Sequence, residues 1–282
     1  MDPDLYRRFF EIEDHFWWSV GTRRVFFEII DGIRGDGRRA LDIGCGTGVH
    51  LKEFPPGWRM VAGCDYSDLA LSFCHERGLR TLVRCDATRL PFSNDSLDLV
   101  TALDVIEHLD EDEACMREIA RVCRPGGHVL LHVPAFPILW SDKDELSHHR
   151  RRYRRKQLVA LTERSGLSVA QTSYINSFLF PVALLRCLAQ RAFGGTLPRH
   201  ATPSAEQLDA LYEPPAVLNR LMLGLMAVER HITARLPIPF GLSLVCLARK
   251  LGPTTESSAA PAAECPMATG PLSWPQKGTR DA

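Results

Sequence analysis

Three groups of residues in this 282-residue chain have the types and spacing to do chemistry. In the first, an apolar run with Ala40, Leu41 and Ile43 stops at Gly44-Cys45-Gly46-Thr47-Gly48, with Asp42 just before the turn. Alternate glycines let the backbone take positive φ and let a ligand reach main-chain N–H groups that a Cβ would shield. The turn is therefore built to hold something. The second group is Asp104-Val105-Ile106-Glu107-His108. His108 can act as a general base because an imidazole titrates near neutrality; a structural histidine is the competing reading. The third is the polar run 140–155, dense in acid, imidazole and guanidinium. Here His148 or His149 can remove a hydroxyl proton, and Arg150, Arg151 and Arg152 can hold a phosphate or carboxylate. Equally, these arginines can be a solvated helix entry paired with Asp142, Asp144 and Glu145.

The elements that position these groups read as alternating strands and helices. A second strand over 58–65 ends in Asp65, a third near 81–85 precedes Asp86, and a near-continuous apolar fourth over 97–103 suits a parallel sheet covered on both faces. That strand delivers Asp104 to the carboxyl end of the sheet, where ligands bind in open α/β folds. A helix follows over 111–124, with Pro125-Gly126-Gly127 as its stop signal, and a fifth strand over 128–134. Strand candidates at 167–173 and 243–250 close the pattern. The spacing G-x-G-x-G, with its acid before the first glycine, departs from the dinucleotide fingerprint, and no Lys-Ser or Lys-Thr follows to make a phosphate loop.

The stretch Leu41-Asp42-Ile43-Gly44-Cys45-Gly46-Thr47-Gly48 resembles the first motif of the class I S-adenosylmethionine-dependent methyltransferases. The resemblance extends over about residues 39–174 and implies an α/β fold: a seven-stranded Rossmann-like sheet with helices on both faces. It implies S-adenosyl-L-methionine as cofactor, with Asp42, Gly44, Cys45, Gly46, Gly48, Asp65, Tyr66, Asp86, Ala87, Leu103, Asp104 and Val105 around it. Asp65 is the ribose ligand, since an ionised carboxylate can accept both hydrogen bonds of a diol, while Ser67 caps the next helix. Asp86 falls where the family sets an acid against the adenine amino group. The catalytic candidates are His108, His148 and His149. Some relatives, including quinol O-methyltransferases, bind a divalent metal through an acid-x-x-Glu-His pattern, which Asp104, Glu107 and His108 match; no metal is expected here.

Outside that core, residues 1–35 carry aromatics at amphipathic helical spacing. They either pack on the sheet or form a lid that brings Glu11, His15, Trp17, Trp18, Arg23 and Arg24 near the substrate, as a similar Glu-x-x-His-x-Trp-Trp pattern in some bacterial relatives implies. Residues 36–174 form the cofactor-binding core, 175–240 a helical insertion, 241–252 the final strand and 253–282 a disordered tail. In the insertion, Leu218, Leu221, Leu225, Val228 and Ile232 make one apolar helical stripe, widened by Met222 and Met226. That helix pair either packs on the core or on a twin subunit, or it roofs a long-chain acceptor and rests on a membrane, with Arg186, Arg191, Arg220, Arg230 and Arg235 toward anionic lipid heads.

Zero formal net charge gives no global electrostatic reason to bind nucleic acid. Nine cysteines with no C-x-x-C pair suit a reduced, cytoplasmic protein, and no apolar run reaches the roughly 18 residues of a membrane span. The expectation is methyl transfer to a hydroxyl of a small or lipid-linked acceptor, with possible peripheral membrane contact or a homodimer. The alternatives are an RNA or protein acceptor, and a binding module without catalysis.

Overall fold

The computed structural model describes residues 3–33, 38–193, 214–233 and 236–252. The tail expected over 253–282, and Arg235, lie outside them. Seven strands form one sheet: β1 (Arg39–Ile43), β2 (Met60–Asp65), β3 (Leu82–Arg84), β4 (Leu97–Leu103), β5 (Cys123–Pro134), β6 (Leu167–Ile175) and β7 (Ser243–Lys250), in the order β3-β2-β1-β4-β5-β7-β6. The first five pair in parallel, and β7 runs antiparallel between β5 and β6. The order reverses between β1 and β4, the switch point at which open α/β sheets leave a crevice at their carboxyl ends. Leu99, Val100 and Ala102 of β4 and Val129, Leu130 and Leu131 of β5 are fully buried, because helices cover both faces of the central strands.

Helices α1 (Pro3–Ile12) and α2 (Trp17–Asp31) precede the sheet, and α3 (Val49–Lys52) follows the glycine turn. Next come α4 (Asp68–Glu76), α5 (Asp112–Val122), α6 (Asp142–Leu146) and α7 (Arg155–Arg164). The insertion between β6 and β7 holds α8 (Phe180–Phe193) and α9 (Ala216–Thr233). Ser67 caps α4 by accepting the Ala70 N–H at 3.3 Å. Among the described residues, no helix is long and apolar enough to cross a membrane.

One local expectation needs correction, and one open alternative is narrowed. The fifth strand begins at Cys123, not at 128: Cys123 pairs with Leu97, and pairing resumes at Leu99 and His128. Pro125-Gly126-Gly127 is thus an irregularity within a strand rather than a stop followed by a loop. Gly126 takes φ +79°, and a Cβ on Gly127 would lie 2.9 Å from the Arg124 carbonyl oxygen. The α9 stripe, for which the sequence left core packing and an outer face open, turns outward. Leu218, Leu221, Leu225, Val228 and Ile232 are exposed, whereas Met226, Glu229 and Thr233 are buried. Met226 is drawn in because α2 offers it a glycine: its side chain lies within 3 Å of where a Cβ on Gly21 would stand.

Candidate active site

The glycine turn leaves β1 at the switch point with Gly44, Gly46 and Gly48 all at positive φ. Two of these glycines are required by packing. A Cβ on Gly44 would come within 2.6 Å of Val105 Cγ2, and one on Gly48 within 2.6 Å of Leu79 Cδ1. A Cβ on Gly46 would meet nothing within 4 Å. The turn is tightened from below and open above, and its residues Gly44, Cys45, Gly46 and Thr47 line a cavity of about 600 Å³.

The sequence-predicted cofactor residues divide into three sets. Gly44, Cys45, Gly46, Leu103 and Asp104 line the cavity. Asp65, Tyr66, Asp86 and Ala87 do not line it; they sit at or just after the carboxyl ends of β2 and β3. Asp65 is already engaged: its carboxylate accepts the Gly46 N–H at 3.0 Å and the Ser67 N–H at 2.8 Å, which pins the turn to β2. Each of those oxygens keeps a second lone pair for a diol. Oδ1 of Asp86 takes the amide and hydroxyl of Thr88, and Tyr66 is exposed with its ring 5.8 Å from the Arg84 guanidinium. Asp42, Gly48 and Val105 lie outside the cavity lining and build the turn. Asp42 is buried beneath it and accepts the Thr101 hydroxyl at 2.5 Å; burial pushes its carboxyl up to about 7.

Beyond the turn, four histidines gather around one acid. Asp104 holds φ +56°, an unusual backbone for a residue with a Cβ, and its Oδ1 lies 2.9 Å from His132 Nδ1. Burial opposes ionisation of Asp104, but the imidazoles of His132, His149 and His108 outweigh it and bring the carboxyl down to about 2. Burial lowers both His50 and His108 to about 4, so each is a neutral imidazole at physiological pH. Glu107 is fully buried with no hydrogen-bond partner on either carboxyl oxygen, and burial raises it well above the usual range.

The loop after β5 places the paired histidines differently. His148 ends α6 in the left-handed region at φ +54°, is exposed and does not line the cavity. His149 lines it, 4.8 Å from His108 between ring centroids, and places Nδ1 2.9 Å from Asp144 Oδ1. Asp144 is fully buried and also accepts Arg152 Nε at 2.7 Å, Arg152 Nη2 at 2.9 Å and the Ser141 N–H at 2.8 Å. Burial resists its ionisation, yet hydrogen bonds from His149 and Arg152 hold it down to about 2. An ionised acceptor fixes the Nδ1–H tautomer of His149 and leaves Nε2 as the ring's acceptor. In the arginine run Arg150 pairs with Asp110, Arg151 with Asp112 and Arg152, which also lines the cavity, with Asp144. The Arg152–Asp144 pair is one of those expected from sequence.

Helices α1 and α2 close the cavity through Tyr6, Phe9, Phe16, Trp18, Thr22 and Phe26. Of the lid residues expected near the substrate, Trp18 lines the cavity; Glu11, His15, Trp17, Arg23 and Arg24 do not. Arg23 is buried and reaches both Glu53 oxygens and the Glu13 carbonyl. His50, Lys143 and Arg186 were missed as cavity residues. His50 follows directly on the turn and its place there was a readable signal, whereas Lys143 and Arg186 arrive on helices whose rotation no local pattern reveals. Glu107, His108 and His149 lie close enough to share a cation, with one donor atom from each within 4.8 Å of the others.

Residues 41–131 match a family model described as a methyltransferase domain. A mouse tRNA (carboxymethyluridine(34)-5-O)-methyltransferase is 30% identical over 58% of this chain and 24% of its own length. A ubiquinone biosynthesis O-methyltransferase of Cupriavidus pinatubonensis is 29% identical over 46% of this chain and 58% of its own length. The chain thus spans about a quarter of the first relative and under two thirds of the second. In fold it resembles a putative methyltransferase solved in complex with the Haloferax volcanii Trm112 activator, with TM-score 0.55, 19% identity, and coverage of 89% of this chain and 94% of that one. The matched region runs from β1 and the glycine turn into β5, so this part of the chain carries the methyltransferase-domain pattern, on a fold shared with solved methyltransferases.

Proposed function

We propose that this chain methylates a hydroxyl of a small or lipid-linked acceptor, with His149 as the general base and Asp144 as its positioning residue. The observation that carries the reading is the Asp144–His149 pair on the wall of the cavity that the glycine turn also lines. The open face of Gly46 and the acids at the ends of β2 and β3 fit S-adenosylmethionine. When bound, that cofactor supplies a methyl carbon made electrophilic by positive sulfur. The rest is the work of the chain. His149 Nε2 would take the proton of the acceptor hydroxyl, so that its oxygen could receive the methyl group. Asp144 keeps Nδ1 protonated so that Nε2 stays basic. The aromatic cover of α1 and α2 aligns the reactants and excludes water.

The relatives' names support an oxygen acceptor and leave its class open between tRNA and quinone precursors. We favour the small or lipid-linked class because Arg150, Arg151 and Arg152 are each tied to an acid, and a phosphate backbone needs uncommitted cations. Calorimetric titration with S-adenosylmethionine, followed by transfer of labelled methyl into lipid and small-molecule extracts, tests the proposal. Wild type should bind and turn over, Asp65→Ala should lose binding, and His149→Ala should bind without turnover. Folded wild type that binds no cofactor overturns the reading, and binding without turnover in any extract favours the non-catalytic module.

A second reading is favoured by Glu107, whose two oxygens are buried without a partner. With His108 and His149 it can hold a divalent cation, each residue offering one donor atom within 4.8 Å of the others. Such a cation would act as a Lewis acid toward the acceptor oxygen. Loss of turnover in chelator, restored by magnesium or zinc, would select this reading; indifference to chelator would leave His149 as the base.

A further inference from the structure

We propose that the outer faces of α8 and α9 dock this protein on an anionic lipid bilayer, presenting the cavity mouth to an acceptor held there. The inference deepens the lipid-linked reading and rests on it for the acceptor alone. Along α9, Val217, Leu218, Leu221, Leu225, Val228 and Ile232 are all exposed, a row that runs the length of the helix. One exposed leucine is ordinary, but a contiguous apolar row marks a contact surface. On α8, Val182, Leu185 and Leu188 are exposed, while Ala183, Arg186 and Cys187 of the same helix line the cavity. This helix is therefore at once the cavity wall and part of the apolar surface. The chain entering α8 is tied to α9 by Glu229, which accepts the Ser177 N–H, and Phe180 of α8 packs on the half-exposed Phe240 ahead of β7.

Charge selects the occupant. No acid occurs in α8, and Glu229, the one acid of α9, is buried. Arg186 and Arg220 are exposed, and Arg230 is 3.8 Å from Glu28. Helix faces that carry cations and, among the described residues of α8 and α9, no exposed acid suit anionic headgroups over acyl chains. A second copy would bring like charges together with no acid on either helix to oppose them, and nucleic acid would leave the apolar row unsatisfied. The helices lie on the bilayer rather than in it, since neither can span.

The test is co-sedimentation of the full chain with phosphatidylcholine vesicles, with and without about 30% phosphatidylglycerol, beside calorimetry with S-adenosylmethionine. Wild type should bind the anionic vesicles, and less so as salt rises. Leu221→Glu/Leu225→Glu should weaken this about tenfold or more, and Arg220→Glu should weaken it less, with cofactor binding kept in both. Absence of binding by folded wild type, or equal binding by the double variant, overturns the proposal. So does a dimer by light scattering that the double variant splits, for a second copy then covers the face. Vesicle binding without methyl entering any lipid fraction leaves docking standing and removes the lipid acceptor; lipid methylation without vesicle binding does the reverse.

Discussion

At the scale of single residues, burial pushes up two carboxyl groups, and only one of them has the neighbours to reverse it. Asp144 has an imidazole, a guanidinium and a backbone amide around it and stays ionised; Asp42 has a single hydroxyl and is raised to about 7. Replacing Asp144 with Asn removes the anion that holds the His149 tautomer, so kcat should fall by about 10²–10⁴ with cofactor affinity little changed. Arg152 would lose its partner too, at about 3 kcal/mol of stability. Single-turnover rates measured beside denaturant unfolding separate these effects, and an unchanged kcat would remove Asp144 from the mechanism. For Asp42, the folded carboxyl holds its proton up to about 7 while the unfolded one releases it near 3.8, so the folded state binds more protons between those values. Stability must therefore fall as pH rises through that window, by an upper limit of roughly 4 kcal/mol. Asp42→Asn should flatten that slope, as read by thermal midpoints from pH 4 to 8. A slope that survives the substitution would place the titration elsewhere.

At the scale of elements, the glycine turn was legible because steric demand and ligand access both act on the chain through residue type alone. Its three glycines should nonetheless fail differently. Gly44→Ala and Gly48→Ala each set a Cβ within 2.6 Å of a packed side chain in a left-handed backbone, and both should cost several times the ~1 kcal/mol of the backbone strain alone. Gly46→Ala carries the strain without the clash, since nothing lies within 4 Å. It should fold with a loss of about 1 kcal/mol and, with the cofactor held over the turn as proposed, lose cofactor affinity by a larger factor. Calorimetry on the three variants decides this, and cofactor binding by Gly46→Ala equal to wild type would move the ligand off the turn. Other features were hidden from sequence for a common reason. The adjacent histidines 148 and 149 differ in role because a left-handed residue ends α6, and the α9 stripe points outward because Gly21 offers Met226 a seat. Both depend on a distant surface or a single dihedral, and periodicity reports neither.

At the scale of the whole molecule, the cover over the cavity is fastened to the sheet domain at two ends. Asn219 of α9 clasps the corner between α1 and α2, accepting the Trp17 N–H at 2.8 Å and donating to the His15 carbonyl at 2.9 Å. The other fastening is Arg77, just after α4, which is almost fully buried. Its guanidinium donates to Glu13 at 2.6 Å, to the Phe10 carbonyl at 3.2 Å and to the Thr47 carbonyl in the glycine turn at 2.9 Å, and it stacks over the Phe10 ring. Glu13 in turn accepts the Thr47 hydroxyl, so one cation joins α1, the turn and the sheet domain. The aromatic spacing of residues 3–31 announced helices with an apolar face, but this fastening joins residues more than sixty positions apart and leaves no local trace. Arg77→Met should therefore free α1 without melting the sheet. Amides of residues 3–12 should lose hydrogen-exchange protection while those of β1, β4 and β5 keep theirs, and the cofactor should dissociate faster because the turn has lost its clamp. Added cofactor should restore protection to α1 in wild type more than in the variant, since ligand and clamp act on the same turn. Uniform loss of protection across the sheet would instead make α1 part of one cooperative core, and the cavity would then have to admit its ligands without the cover moving.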